Sequence, residues 1–305
     1  MKSYKRILIF LLLVLALTGV LSPWMAALWN AILHAVPEWR DYQQPFSRIF
    51  SRLYMVMGIV LFFVCRRMLG IESFRQMGLT RERAWWRDVV MGFLLACGSF
   101  AAVVAAMAFA GVFTPGFRRS LASALGSAFG ALMAGLTVGF IEEIFFRGMI
   151  FKGLVEDTRK AAAYCLANLF YSVIHFVKPA EKVPLTEIDP LAGFRYLAGS
   201  FAALLDLREI LPGVIGLFLI GIALSYAFFR TGSLYLAIGL HAGWVFSLKT
   251  FDLFGRARRR DMGWLFGASE PKIVSGVATW IGIIAVVLVI HWATRNRKAL
   301  GAAKF

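Results

Sequence analysis

Two adjacent carboxylates, one arginine and two histidines stand in stretches of this sequence that are otherwise apolar. They are Glu142, Glu143 and Arg147 in G-F-I-E-E-I-F-F-R-G (139–148), His175 in L-F-Y-S-V-I-H-F, and His241 in A-I-G-L-H-A-G-W-V-F. An ionised side chain deep in a bilayer costs about 2.5–3.5 kcal/mol on insertion scales, and residues that bear this cost usually face an internal cavity and carry function. A carboxylate with imidazoles near it can take a proton from water and return it, the chemistry of a general base. Glu143 and Arg147 are four residues apart on one helix face, with the acid on the favourable N-terminal side. Glu142 is rotated about 100° from Glu143. This arrangement divides the work: Glu143 holds Arg147 in a buried pair, and Glu142 points elsewhere and acts on water. An ordinary salt bridge at the inner membrane interface, with Arg147 snorkelling, would explain the pair but not the second carboxylate. The remaining histidines, His34 and His291, lie at the ends of apolar segments.

The elements that must position these groups are long apolar blocks. The 305 residues are 60% hydrophobic and 16% charged, with a mean hydropathy of +0.72; a soluble chain would carry about 25% charged residues. Eight segments stand out, near 7–33, 49–69, 88–113, 120–150, 161–177, 212–229, 233–250 and 273–292. Most have roughly the 20 residues that span a bilayer as a helix. The expected fold is an all-α integral membrane protein with about eight transmembrane helices in one bundle. Within it, 1–119 supplies N-terminal helices, 120–250 the core that carries the polar set, and 251–305 a basic loop and a last helix. The net charge of +16 falls mostly between apolar blocks, which points to anionic headgroups rather than nucleic acid. Segment 190–210 carries Arg195, Asp206, Arg208 and Glu209; it is too polar to span and is expected to lie in the interface or form part of a lid.

A depth argument brings the polar set together. The fourth and fifth segments turn at about 156–160, and Glu142 and His175 lie about 21–22 Å from that turn on its two sides if the helices are unbroken. The sixth and seventh turn at Arg230–Ser233, with His241 about 12 Å below. The levels agree if the first hairpin projects about 9–10 Å further into water. Gly126/Gly130, Gly135/Gly139 and Gly239/Gly243 form G-x-x-x-G pairs that let helices approach closely.

These residues resemble a known family. E-E-x-x-x-R at Glu142, Glu143 and Arg147, aromatic-x-x-x-His at Tyr171–His175, and a third motif opening with His241 are similar to the motifs of the CPBP family. Its members are the CAAX-prenyl-protease and bacteriocin-processing intramembrane endopeptidases, also called the Abi family. The resemblance covers about 120–250. It implies peptide-bond hydrolysis in the membrane, with Glu142 and His175 activating water, Glu143 and Arg147 in support, and His241 orienting the water or stabilising the oxyanion. Two positions depart from the pattern. Tyr171 replaces the usual Phe, and Val245 stands where His-x-x-x-Asn has its amide. Loss of such a donor weakens oxyanion stabilisation by a few kcal/mol if that is its role; Asn168, two turns before His175, is at best a remote substitute. No H-E-x-x-H motif occurs, and a mechanism without cofactor is favoured, although Glu142, His175 and His241 have the chemistry of a three-ligand zinc site.

Two other functions compete with the endopeptidase. An inactive relative would act as a membrane scaffold or immunity protein, and a proton-coupled transporter would also use intramembrane carboxylates and histidines. The expected partners are the lipid bilayer and a peptide or protein substrate entering from the membrane or the cytoplasmic side, with no nucleic acid. The positive-inside rule places the termini in the cytoplasm of a bacterial inner membrane. The loop 249–272, with Lys249, Arg256, Arg258, Arg259, Arg260 and Lys272, falls on the outside by parity and disagrees with that rule.

Overall fold

The computed structural model describes residues 1–80, 84–116, 120–177, 189–257, 262–267 and 272–297. In chain order its helices are α1 (Ser3–Ala35), α2 (Phe46–Cys65), α3 (Trp85–Phe109), α4 (Leu121–Glu143), α5 (Lys152–Asp157), α6 (Lys160–Ile174), α7 (Ala192–Ser200), α8 (Leu207–Thr231), α9 (Tyr235–Thr250), α10 (Gly263–Phe266) and α11 (Val277–Ala293). The only sheet among the described residues is a two-stranded ribbon, β1 (Phe113–Pro115) with β2 (Gly255–Ala257), paired antiparallel. All eight apolar segments are therefore helical. Among the described residues, five spans have the length and hydropathy to cross a membrane: α1, α2, α3, the stretch Leu121–Asp157, and α8; α6 and α11 are shorter apolar helices. The chain is an all-α membrane protein.

The chain forms two compact units. The first is Met1–Glu72 with Val173–Leu207, and the second is Ser73–Ser172 with Arg208–Phe305. In the first unit, α1 and α2 are joined by a 3₁₀ turn over Pro37–Tyr42. Helix α7, from the polar segment 190–210, packs on both. A side chain at Gly193 would run into the Gly19 carbonyl and Ser22, and Tyr196 sits against Phe46 and Phe50 with ring centroids 5.3 and 4.8 Å apart. Arg195 pairs with Asp189 at the entry to α7.

In the second unit, α9 is the central helix, buried along most of its length. Helix α3 runs parallel to it. At their starts the Trp85 and Tyr235 rings are 5.3 Å apart and Tyr235 donates to the Thr80 carbonyl. At their ends Phe113 lies 5.0 Å from Phe251, and the ribbon ties the segment after α3 to the segment after α9. Those two loops thus share one end of the unit, as alternating spans require. Arg256 of the basic loop lies in the ribbon opposite Thr114; Arg258, Arg259 and Arg260 lie outside the described residues. Helix α4 runs antiparallel to α9, with Gly135 against the Ala242 carbonyl and Gly139 against Ile238 and His241.

Glycine makes these approaches possible. A methyl group on Gly239 would collide with the Val89 carbonyl of α3, one on Gly92 with Leu236 and Leu240, and one on Gly243 with Phe93 and Ala96. Gly126 and Gly130 face open space, so of the three expected G-x-x-x-G pairs that one packs against nothing in the structure. Gly239→Ala is expected to lower stability by about 1–3 kcal/mol through overpacking. Gly126→Ala, in the same kind of helix with no neighbour, should be neutral or stabilising by about 0.5–1 kcal/mol. Thermal melts of the two variants in one detergent test the contrast.

Candidate active site

Helix α4 ends at Glu143, and the chain continues as a π-helix over Ile144–Phe151 before α5. The wider i→i+5 turn is rare and frequently marks functional sites. It replaces the unbroken α-helix assumed in the depth argument. The turn between α5 and α6, after Asp157, lies where the sequence placed it. Gly148 in the π stretch lets the backbone meet Met77, whose carbonyl would be 3.0 Å from an added Cβ.

The two carboxylates have different surroundings. The Glu143 side chain is fully buried, whereas that of Glu142 is 29% exposed. Glu143 Oε1 accepts from Arg147 Nη1 at 2.9 Å, and the same oxygen is 2.7 Å from His241 Nδ1. A carboxylate oxygen that pairs with a guanidinium is ionised and only accepts, so Nδ1 carries the imidazole proton. This leaves Nε2 directed at the other carboxylate, 3.8 Å from Glu142 Oε2. That separation is beyond a direct hydrogen bond.

Arg147 is held on three sides. Its Nη2 donates to the Gly221 carbonyl of α8 at 3.2 Å. Its guanidinium carbon lies 4.4 Å from the centre of the Tyr171 ring. Tyr171 stands edge-on to Phe146, centroids 5.0 Å apart, and edge-on to His241 at 6.4 Å. Gly221 in turn abuts Asn168, whose Oδ1 accepts from Ser225 at 2.9 Å. A buried cation needs this combination of opposite charge, carbonyl and aromatic face to offset its lost hydration. Glu143 Oε2 and Arg147 Nε have no hydrogen-bond partner among the described residues. Interior polar atoms of this kind are ordinarily met by ordered water.

Glu142, Glu143, Arg147, Tyr171 and His241 thus converge in the second unit, carried by α4, the π stretch, α6 and α9. Val245 is half-buried one turn beyond His241 and offers no polar atom in its side chain. His175 belongs to the first unit, in the turn immediately after α6, half-buried. Among the described residues, no three or more His, Cys, Asp or Glu side chains are grouped to hold a metal ion. No step below is routed through a metal. Sequence reasoning missed Gly221 and weighed Asn168 only as a remote substitute for the missing amide. A backbone carbonyl leaves no trace in residue type, but Asn168 was a signal, being one of three asparagines in the chain.

Residues 124–247 match the family model described as type II CAAX prenyl endopeptidase Rce1-like. No curated protein and no solved structure matches the chain. The matched segment takes in the whole cluster, from the carboxylates of α4 to His241 and Val245, and the family that model describes is the one the motifs resemble.

Proposed function

We propose that the protein is an intramembrane endopeptidase in which Glu142 activates a water for attack on a peptide carbonyl. The observation that carries this reading is the line Glu143–His241–Glu142. One buried carboxylate fixes an imidazole by its Nδ1–H, and the far nitrogen of that ring lies 3.8 Å from a second, partly accessible carboxylate. A carboxylate that orients a histidine in this way is a recurring device of hydrolytic sites.

The reaction balances without further reagents. Glu142 takes one proton from the water held between its Oε2 and His241 Nε2. The water oxygen bonds to the carbonyl carbon as the C=O π pair moves to oxygen. The tetrahedral species collapses, the C–N bond breaks, and the protonated Glu142 delivers its proton to the departing amine. Glu143 and Arg147 act through others: Glu143 sets the tautomer and angle of His241, and Arg147 holds Glu143 in place. His175, by family analogy, assists Glu142 in taking the proton.

The substrate class that the family description supports is a prenylated CAAX-type peptide. The protein in proteoliposomes should cleave a farnesylated fluorogenic peptide of that kind, with an unprenylated copy as control. His175→Ala and His241→Ala are each expected to lower kcat by about 10²–10⁴-fold. Full activity in His175→Ala would remove that residue from the mechanism, and absence of cleavage by the wild-type protein would leave the scaffold reading in place.

A further inference from the structure

We infer that Asn168 of α6 is a positioning residue for the cleavage reaction, holding the Gly221 carbonyl where Arg147 meets it and so keeping Glu143 and His241 in line; this rests on the endopeptidase reading above. Asn168 is a primary amide inside a short apolar helix, at 1% exposure. Burying such a group is costly unless its polar atoms are bonded, and both ends of this one are. Its Nδ2 donates to the Tyr164 carbonyl one turn earlier at 2.8 Å. A carbonyl only accepts, so the amide nitrogen must face it. The amide oxygen is then turned toward α8, where it accepts from Ser225 Oγ at 2.9 Å. The first bond fixes the side chain within α6, and the second ties it to α8.

What that tie holds is the preceding turn of α8. Gly221 lies four residues before Ser225, on the same helix face. A Cβ at Gly221 would stand 2.8 Å from Asn168 Oδ1 and 3.1 Å from its Cβ and Cγ, so the amide rests directly on the Gly221 main chain. The Gly221 carbonyl accepts from Arg147 Nη2 at 3.2 Å, the upper end of the N–H···O range. A shift of about 0.5 Å in that carbonyl would carry the bond outside the range. From Arg147 the line runs through Nη1 to Glu143 Oε1 at 2.9 Å, and from the same oxygen to His241 Nδ1 at 2.7 Å. An unbroken line of contacts therefore leads from the amide on α6 to the imidazole on α9, all within the second unit. Polar pairs between membrane helices also serve simply as glue. This one sits on the turn of α8 that receives the arginine, which helix association alone does not require.

The test compares Asn168→Leu, which keeps the bulk but removes both bonds, and Ser225→Ala with wild type and Glu142→Gln. With the farnesylated fluorogenic peptide, Asn168→Leu is expected to lower kcat by about 10–10²-fold with KM within about twofold of wild type, since a small misplacement distant from the chemistry has effects of that order. Ser225→Ala should lose less, and the double variant no more than Asn168→Leu alone, because the two residues act as one link. The reading that a purely structural role would not move is the His241 Nδ1–H resonance, observed after nitrogen-15 labelling of histidine and identified by its loss in His241→Gln. A proton in a 2.7 Å bond to a carboxylate resonates far downfield, and it should move upfield in both variants as Glu143 shifts. A kcat within about twofold of wild type in both variants would overturn the inference. So would a fall in kcat with the resonance unmoved, which would make Asn168 part of the fold only. If Asn168→Leu does not fold, Ser225→Ala decides by the same two readings. If Glu142→Gln cleaves as wild type does, the endopeptidase reading itself fails, and the resonance still reports whether Asn168 holds His241 in place.

Discussion

Glu142→Gln is expected to lower kcat for peptide cleavage by about 10³-fold or more, while leaving the melting temperature within a degree or two of wild type. The substitution keeps the volume and the hydrogen-bonding reach of the side chain but removes its ability to take a proton. General-base assistance contributes about 10²–10⁴-fold in characterised enzymes. Because Glu142 is partly exposed and Glu143 carries the pairing to Arg147 and His241, loss of charge at 142 should not disturb the cluster. The same variant separates the competing functions. A scaffold would bind its partner with or without this carboxylate, and a proton-coupled carrier would lose ion-dependent uptake in proteoliposomes rather than peptide cleavage. Cleavage retained within threefold of wild type would mean that the water is activated elsewhere.

The adjacent carboxylate should behave in the opposite way. Glu143→Ala leaves Arg147 as an uncompensated cation in a fully buried position and frees the His241 ring to reorient. Breaking a buried ion pair by removing one partner typically costs about 3–5 kcal/mol, so this variant should melt well below wild type and lose activity as well. The double variant Glu143→Ala, Arg147→Met removes the stranded charge. It is expected to recover most of the lost stability, since replacing a buried pair by apolar side chains is often neutral, yet to remain inactive because His241 still lacks its orienting carboxylate. Recovery of activity together with stability would assign the pair to folding alone.

Much of this was readable from residue order. Block length and hydropathy marked eight segments that are all helical, because a helix in lipid has to satisfy its backbone internally and carry apolar side chains around its surface; five of the helical stretches among the described residues are long and apolar enough to cross a membrane. The four-residue spacing of Glu143 and Arg147 gave their pairing, and the 100° offset gave the division between a buried and an accessible carboxylate. The contact of His241 with Glu143 was not readable. Either carboxylate could have met the imidazole, and the choice depends on how α9 is rotated against α4, which is settled by Gly135 and Gly139 seating on backbone rather than by anything at the histidine. The π stretch was hidden for a related reason: its sequence is apolar and helix-compatible throughout, and its wide turn is a response to tertiary packing at Gly148 and Arg147. Gly126/Gly130 and Gly135/Gly139 share one spacing but not one environment, since a small-residue motif states what a helix permits and not which neighbour takes the offer.

The seating of Gly92, Gly239 and Gly243 on neighbouring backbones has a consequence for how the molecule breathes. With main chain against main chain on two sides of α9, its amide protons can reach solvent only through a fluctuation that separates several helices at once. Hydrogen–deuterium exchange at 238–243 should therefore be among the slowest in the protein, well behind α11, whose outward residues are exposed along much of its length. The histidine would then ride on a segment that stays closed through many turnovers, and the motion that admits a peptide must be sought in other parts of the chain.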